Sequence, residues 1–187
     1  MTPSPWVTHF GLTRTPFSKS IPAADLFVRD GHAEAVARIN HCVAESALGV
    51  LVGDVGAGKT VAVRAATAGL DMASHHVVYV PNPAFGTRGL YVTIVSALGG
   101  QPRFHKAEVM AQAASLLAAE ESERHRRVVL IFDEAHLLSP AQLEELRLLT
   151  NSEMDSASPF AGILVGQPML SRSLRMGGRV QGVTATP

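Results

Sequence analysis

Four short apolar runs punctuate the chain: ALGVLVG at 47–53, HHVVYVP at 75–81, RRVVLIFDEAH at 126–136 and FAGILVGQP at 160–168. Each is continuous rather than alternating, as expected of a strand buried on both faces. Between them the apolar positions recur every three or four residues. Val36, Ile39, Val43 and Ala47 mark a helix over 32–47, and an alanine-rich helix spans Lys59–Leu70. A third covers 87–98 and stops at Gly99 and Gly100; a fourth, over Ala107–Glu123, lines up Val109, Met110, Ala113, Leu116 and Leu117. SPAQLEELRLLT carries its own start signal, with Ser139 as N-cap, Pro140 in the first helical position and Gln142 as capping-box partner. Strands separated by helices predict an α/β fold, a parallel sheet covered on both faces in three αβα layers.

The pattern fails at both ends. Residues 1–30 scatter prolines among Trp6, Phe10, Phe17 and Phe27, which predicts an extended arm whose rings pack on a surface rather than a helix. Beyond Ser171 a helix begins, but 177–187 has no periodicity and reads as a disordered tail. The core therefore occupies 31–176. At 187 residues the chain suits one domain, and 47% hydrophobic against 17% charged residues suits a buried sheet.

Charge narrows the partners. Sixteen basic and sixteen acidic side chains cancel, so no global positive field draws nucleic acid or anionic membrane. RHRR at 124–127 reads as a solvated basic turn, with local phosphate contact the alternative. No apolar run reaches the ~18 residues that span a bilayer, and the N-terminus lacks a signal-peptide pattern, so the expected location is the cytoplasm. Cys42, the single cysteine, lies in an apolar helical pattern and reads as a small buried hydrophobe. The eight histidines show no metal-ligand spacing.

Chemistry concentrates after two of the strands. GDVGAGKT, residues 53–60, follows the first strand and opens a helix. Gly53, Gly56 and Gly58 tolerate the positive φ values that let a loop aim several N–H groups inward at a phosphate chain. The amides from Gly53 through Asp54, Val55, Gly56, Ala57, Gly58, Lys59 and Thr60 to Val61 form the expected cradle, at the positive end of the helix. Lys59 adds a mobile charge for the β and γ groups, and Thr60 offers a hydroxyl to Mg²⁺. Asp133 and Glu134 end the third strand at the sheet edge where α/β ligands bind. Asp133 is expected to hold Mg²⁺ and Glu134 to polarise the attacking water; two acids facing solvent at a strand end is the plainer alternative.

GDVGAGKT and VVLIFDEAH resemble the Walker A and Walker B motifs of AAA+ P-loop ATPases. FGLTRTPFS, DLF, HAEAVARI, DEAHLLSPAQLEELRLLTN and ILVGQP resemble the bacterial branch of general-secretion-pathway A-type ATPases and transposition-helper ATPases. The resemblance runs from residue 10 to about 176, and its close text favours the transposition helper. It implies ATP and Mg²⁺ as cofactors, ATP hydrolysis, a transposase and DNA as partners, and homo-oligomers in intact relatives. It also places sensor 1 at Gln167, where a glutamine closing a turn before Pro168 serves equally; Asn151 has a helix C-cap as its alternative. Arg172, Arg175 and Arg179 lie near the family's arginine-finger region without its QRI continuation, so none is assigned as a finger. The chain accordingly reads as a C-terminally truncated member, without fifth strand or helical lid, whose first strand keeps an open edge and whose turnover is weak. A non-hydrolysing nucleotide switch is the reading from another functional class.

Overall fold

The structure, a computed structural model, describes residues 5–12, 21, 30–151, 158–176 and 184–185. The strands are β1 (Leu48–Val52), β2 (His75–Val80), β3 (Arg127–Phe132), β4 (Phe160–Gly166) and β5 (Thr184–Ala185). The helices are α1 (Pro5–His9), α2 (Asp30–Ala44), α3 (Lys59–Ala68), α4 (Thr87–Ala97), α5 (Lys106–Ser122), α6 (Pro140–Thr150) and α7 (Met169–Met176), with a short 3-10 turn at Ala135–Leu137. All strands pair in parallel in the order β2-β3-β4-β1-β5. The expected α/β architecture is therefore present, and β4 lies between β1 and β3.

Two apolar layers hold the sheet. Along β3, Val128, Leu130 and Phe132 face α4, α5 and α6, while Val129 and Ile131 face α2 and α3. Along β4, Phe160 and Leu164 take the first face and Ala161, Ile163 and Val165 the second. This period of two under a continuous apolar run is what burial on both faces requires. Each fully buried Val, Leu, Ile or Phe contributes roughly 1.5–3 kcal/mol, so the central strands are rigid supports for the loops that leave them. Cys42 packs under this second layer, and burial pushes its thiol up. The capping box forms as the sequence predicts: Ser139 Oγ accepts from the Gln142 amide at 3.3 Å, and Gln142 Oε1 accepts from the Ser139 amide at 3.0 Å. Gln142 Nε2 also donates to the Pro83 and Phe85 carbonyls, which ties the start of α6 to the loop after β2. Among the described residues no helix is long and apolar enough to cross a membrane.

Two expectations are corrected at the ends. The arm expected to be extended over 1–30 contains helix α1, and its packing residue is Val7; Trp6 and Phe10 are exposed. Phe17 and Phe27 lie outside the described residues. The edge of β1, expected to be open for want of a fifth strand, carries β5, with Val50 opposite Thr184 and Leu51 opposite Ala185. Two residues are too few to show periodicity. Their strand conformation answers the unpaired N–H and C=O groups of β1 and not a local signal. The rest of the expected tail, 177–183 and 186–187, lies outside the described residues.

The basic run at 124–127 is structural. Glu120 of α5 is fully buried, accepts from Arg124 Nη1 and from His76 Nδ1 at 3.3 Å, and forms an ion pair with Arg126, whose Nη2 lies 2.8 Å away. Arg127 Nη1 donates to the Val43 and Ala44 carbonyls at the end of α2. Burial alone would push the Glu120 carboxyl up, but the bonds from Arg124 and His76 and the neighbouring charges hold it below its ordinary 4.5. A lowered folded value means that the stabilisation is complete above 4.5 and is lost as pH falls through the folded value. Glu120→Gln is expected to cost about 2 kcal/mol at neutral pH. Denaturation curves should show the gap from wild type closing as pH falls below the ordinary carboxylate range; a gap that persists in acid would mean that the carboxylate charge is not what the arginines hold.

Candidate functional site

The carboxyl edge of the sheet gathers the chemistry. Gly53 N donates to Gly166 O at 3.2 Å, so the end of β1 is clasped to the end of β4 before the loop begins. The Ala57 amide then donates to Asp54 O at 3.2 Å and turns the chain, with Val55 exposed at the tip. Gly56 and Gly58 take φ values of 81° and 84°, a region costly for any residue with a Cβ. α3 starts immediately afterwards, and its first amides have no intrahelical partner. Glycine loop and helix start together form a concavity of N–H groups at the positive end of a helix, an anion site by construction. Lys59 folds back over it, its Nζ donating to Gly53 O at 2.8 Å and Asp54 O at 2.9 Å.

The second half of the site comes from β3. Asp133 is buried, and three donors fix its carboxylate: Thr60 Oγ1 at 3.1 Å and Tyr79 OH at 2.7 Å on Oδ2, and the Glu134 amide at 3.0 Å on Oδ1. The Thr60 bond brings together residues 73 positions apart in the sequence. Burial, and then the bond and charge of Asp133, push the Tyr79 hydroxyl well above its ordinary range, so it stays a donor. Two hard oxygens, one hydroxyl and one carboxylate, thus meet beside the anion cradle. That donor set fits Mg²⁺ on a phosphate chain, which takes few protein ligands and keeps the rest of its shell for water and phosphate.

Glu134 has φ 52° and ψ 35°, the left-handed conformation that costs a non-glycine residue about 1–2 kcal/mol. Strain of this kind is held by its surroundings and concentrates at functional sites. Here it throws the Glu134 side chain off the strand axis, half-exposed, with Oε2 3.4 Å from His136 Nδ1. A carboxylate so placed, next to the fixed Asp133 yet open to solvent, can polarise a water.

Gln167 follows β4 directly and so sits between the two loops on the same edge. Its carbonyl accepts from the Leu170 amide at 2.9 Å and starts α7, the turn-closing role that was the alternative to a sensor. Asn151 caps α6, with its amide donating to Leu148 O. Arg172 and Arg175 are exposed on α7, and Arg179 lies outside the described residues. Two residues at the site escaped the sequence reading. Tyr79 looked like part of an apolar strand, and only the pairing of β2 with β3 brings its hydroxyl to Asp133. His32 of α2 bonds the Ala57 carbonyl at 3.0 Å, and its signal was a polar residue on an apolar helix stripe.

Comparison with known proteins places this site in a family. Residues 43–174 match the family described as AAA domain. The chain belongs to that family. This AAA domain is 35% identical over 175 residues to the general secretion pathway protein A of Aeromonas hydrophila, a match that covers 91% of the chain and 31% of the relative. Its fold is similar to that of Cdc6p from Pyrobaculum aerophilum, with a TM-score of 0.67, 19% identity and coverage of 92% of this chain and 48% of that one. The Aeropyrum pernix ORC2 protein, solved as ADPNP–ADP complexes, gives a TM-score of 0.60 at 17% identity, covering 86% of this chain and 46% of that one. The AAA domain thus spans about a third of the curated relative and about half of the solved chains.

Proposed function

We propose that this AAA domain binds ATP with Mg²⁺ and hydrolyses it. The observation that carries the reading is the hydrogen bond from Thr60 to Asp133, which joins the phosphate-cradling loop to the acidic strand end beside Glu134. Amides of Gly53 to Val61 hold the phosphates and Lys59 moves from its carbonyl partners onto them. Thr60 and Asp133 would hold Mg²⁺, which would supply positive charge against the phosphates. Glu134 orients and polarises the attacking water, and Gln167, at the end of β4 between the two loops, is assigned the γ-phosphate sensor role. The ADPNP and ADP in the complexes of the ORC2 protein agree with this reading.

The curated relative that covers 91% of the chain is a secretion-pathway protein, and that favours a secretion role over the DNA-bound transposition helper to which the sequence motifs leaned. The balanced charge of the chain points the same way. The test is a titration with fluorescent ATP and ADP, with and without Mg²⁺, followed by single-turnover phosphate release with and without duplex DNA. Saturable Mg²⁺-dependent binding with slow phosphate release is expected, and DNA should change neither. Absence of binding would defeat the nucleotide reading; binding without release would leave a nucleotide switch; stimulation by DNA would restore the transposition helper.

A further inference from the structure

We propose that His32 is a positioning residue for nucleotide phosphate: it orients the Ala57–Gly58 peptide so that the Gly58 N–H faces the anion. The inference rests on the nucleotide reading and adds a residue from outside both motifs.

The apolar stripe of α2 runs through Ala35, Ile39, Cys42 and Val43, with Val36 packed beside them. His32 precedes Val36 by one helical turn and so continues that stripe toward the phosphate loop. An apolar side chain would serve packing there. Histidine instead donates from Nε2 to Ala57 O at 3.0 Å. Its Nδ1 is buried and without a partner among the described residues. A carbonyl oxygen only accepts, so in this bond Nε2 is the ring atom that carries the donated proton.

The bond matters because a trans peptide points its C=O and N–H in opposite directions. Fixing the Ala57 carbonyl toward α2 turns the Gly58 N–H the other way, into the concavity of the loop. A free glycine loop samples several peptide orientations, and only one presents this donor. The fit is close enough to exclude any side chain at position 58, where a Cβ would lie 2.4 Å from His32 Nε2 and 2.7 Å from Cε1. Gly58 therefore answers both to its φ of 84° and to the ring against it.

The experiment measures affinity for fluorescent ADP and the melting temperature without nucleotide, for wild type, His32→Leu, His32→Gln and Lys59→Ala. Leucine keeps the packing and loses the donor; glutamine keeps a donor at the place of Nε2. His32→Leu should bind ADP about tenfold more weakly, the worth of one oriented hydrogen bond, with a melting temperature within a few degrees of wild type. His32→Gln should stay within about threefold of wild-type affinity. A residue that only packs would show the reverse, with leucine harmless and glutamine destabilising. If Lys59→Ala weakens binding while His32→Leu binds like wild type, or if glutamine is as weak as leucine, the role assigned to His32 is wrong and the nucleotide reading stands. If wild type itself does not bind ADP, both fall.

Discussion

Glu134→Gln is expected to slow single-turnover ATP hydrolysis by about 10²–10⁴-fold while nucleotide affinity stays within a few-fold. Glutamine is nearly isosteric and keeps a polar tip, so the left-handed backbone at this position and its amide bond to Asp133 Oδ1 are retained. What disappears is the negative charge that raises the basicity of the attacking water, an effect that belongs to the transition state and not to binding. A chemically quenched single turnover checks this directly, because it reads bond cleavage before any product leaves. Equal rates in wild type and variant would assign the domain to the nucleotide-switch class, in which bound ATP orders a surface and is not consumed.

Lys59→Ala should act earlier, on binding itself. The ammonium already lies against the loop through two carbonyl bonds of 2.8 and 2.9 Å, so little movement separates its present position from a phosphate oxygen. Two charge-assisted contacts to the β and γ groups are together worth about 3–5 kcal/mol, and their loss is expected to weaken ATP by about 10²–10⁴-fold. The effect should be smaller for a ligand that lacks the γ group, and comparing ATP with ADP in the same titration separates a lost phosphate contact from a disordered loop. Unchanged affinity would mean that GDVGAGKT is a glycine-rich turn with an incidental lysine.

The two variants together probe a site whose halves were legible in the sequence for different reasons. GDVGAGKT announces itself because phosphate binding by backbone amides demands glycines at set positions, a constraint that is local. Asp133 and Glu134 were visible because an apolar strand that ends in two acids is unusual in a buried sheet. Tyr79 and His32 were not visible in the same way. Each matters only through a contact made by a neighbouring element, Tyr79 across the β2–β3 pairing and His32 across the packing of α2 on the loop. The same reasoning explains the two errors at the ends of the chain. Helix α1 is five residues long, too short for a period to show, and β5 exists as a partner for β1 and has no pattern of its own.

Local physical rules were enough to set the element types of the core from α2 to α7, because burial on one stripe or on two faces writes a period into the chain; they also set the capping box of α6 and the glycine loop, because caps and tight turns depend on residues a few positions apart. The strand order was decided only in three dimensions, since backbone pairing between parallel strands is non-local and leaves no mark in either strand alone. That order placed β4 between β1 and β3, brought Thr60 to Asp133, and left Gln167 between the two loops. The strained backbone of Glu134 and the bond from His32 to Ala57 belong to the same category, because a single residue is held in a costly or specific geometry by groups the local sequence does not contain.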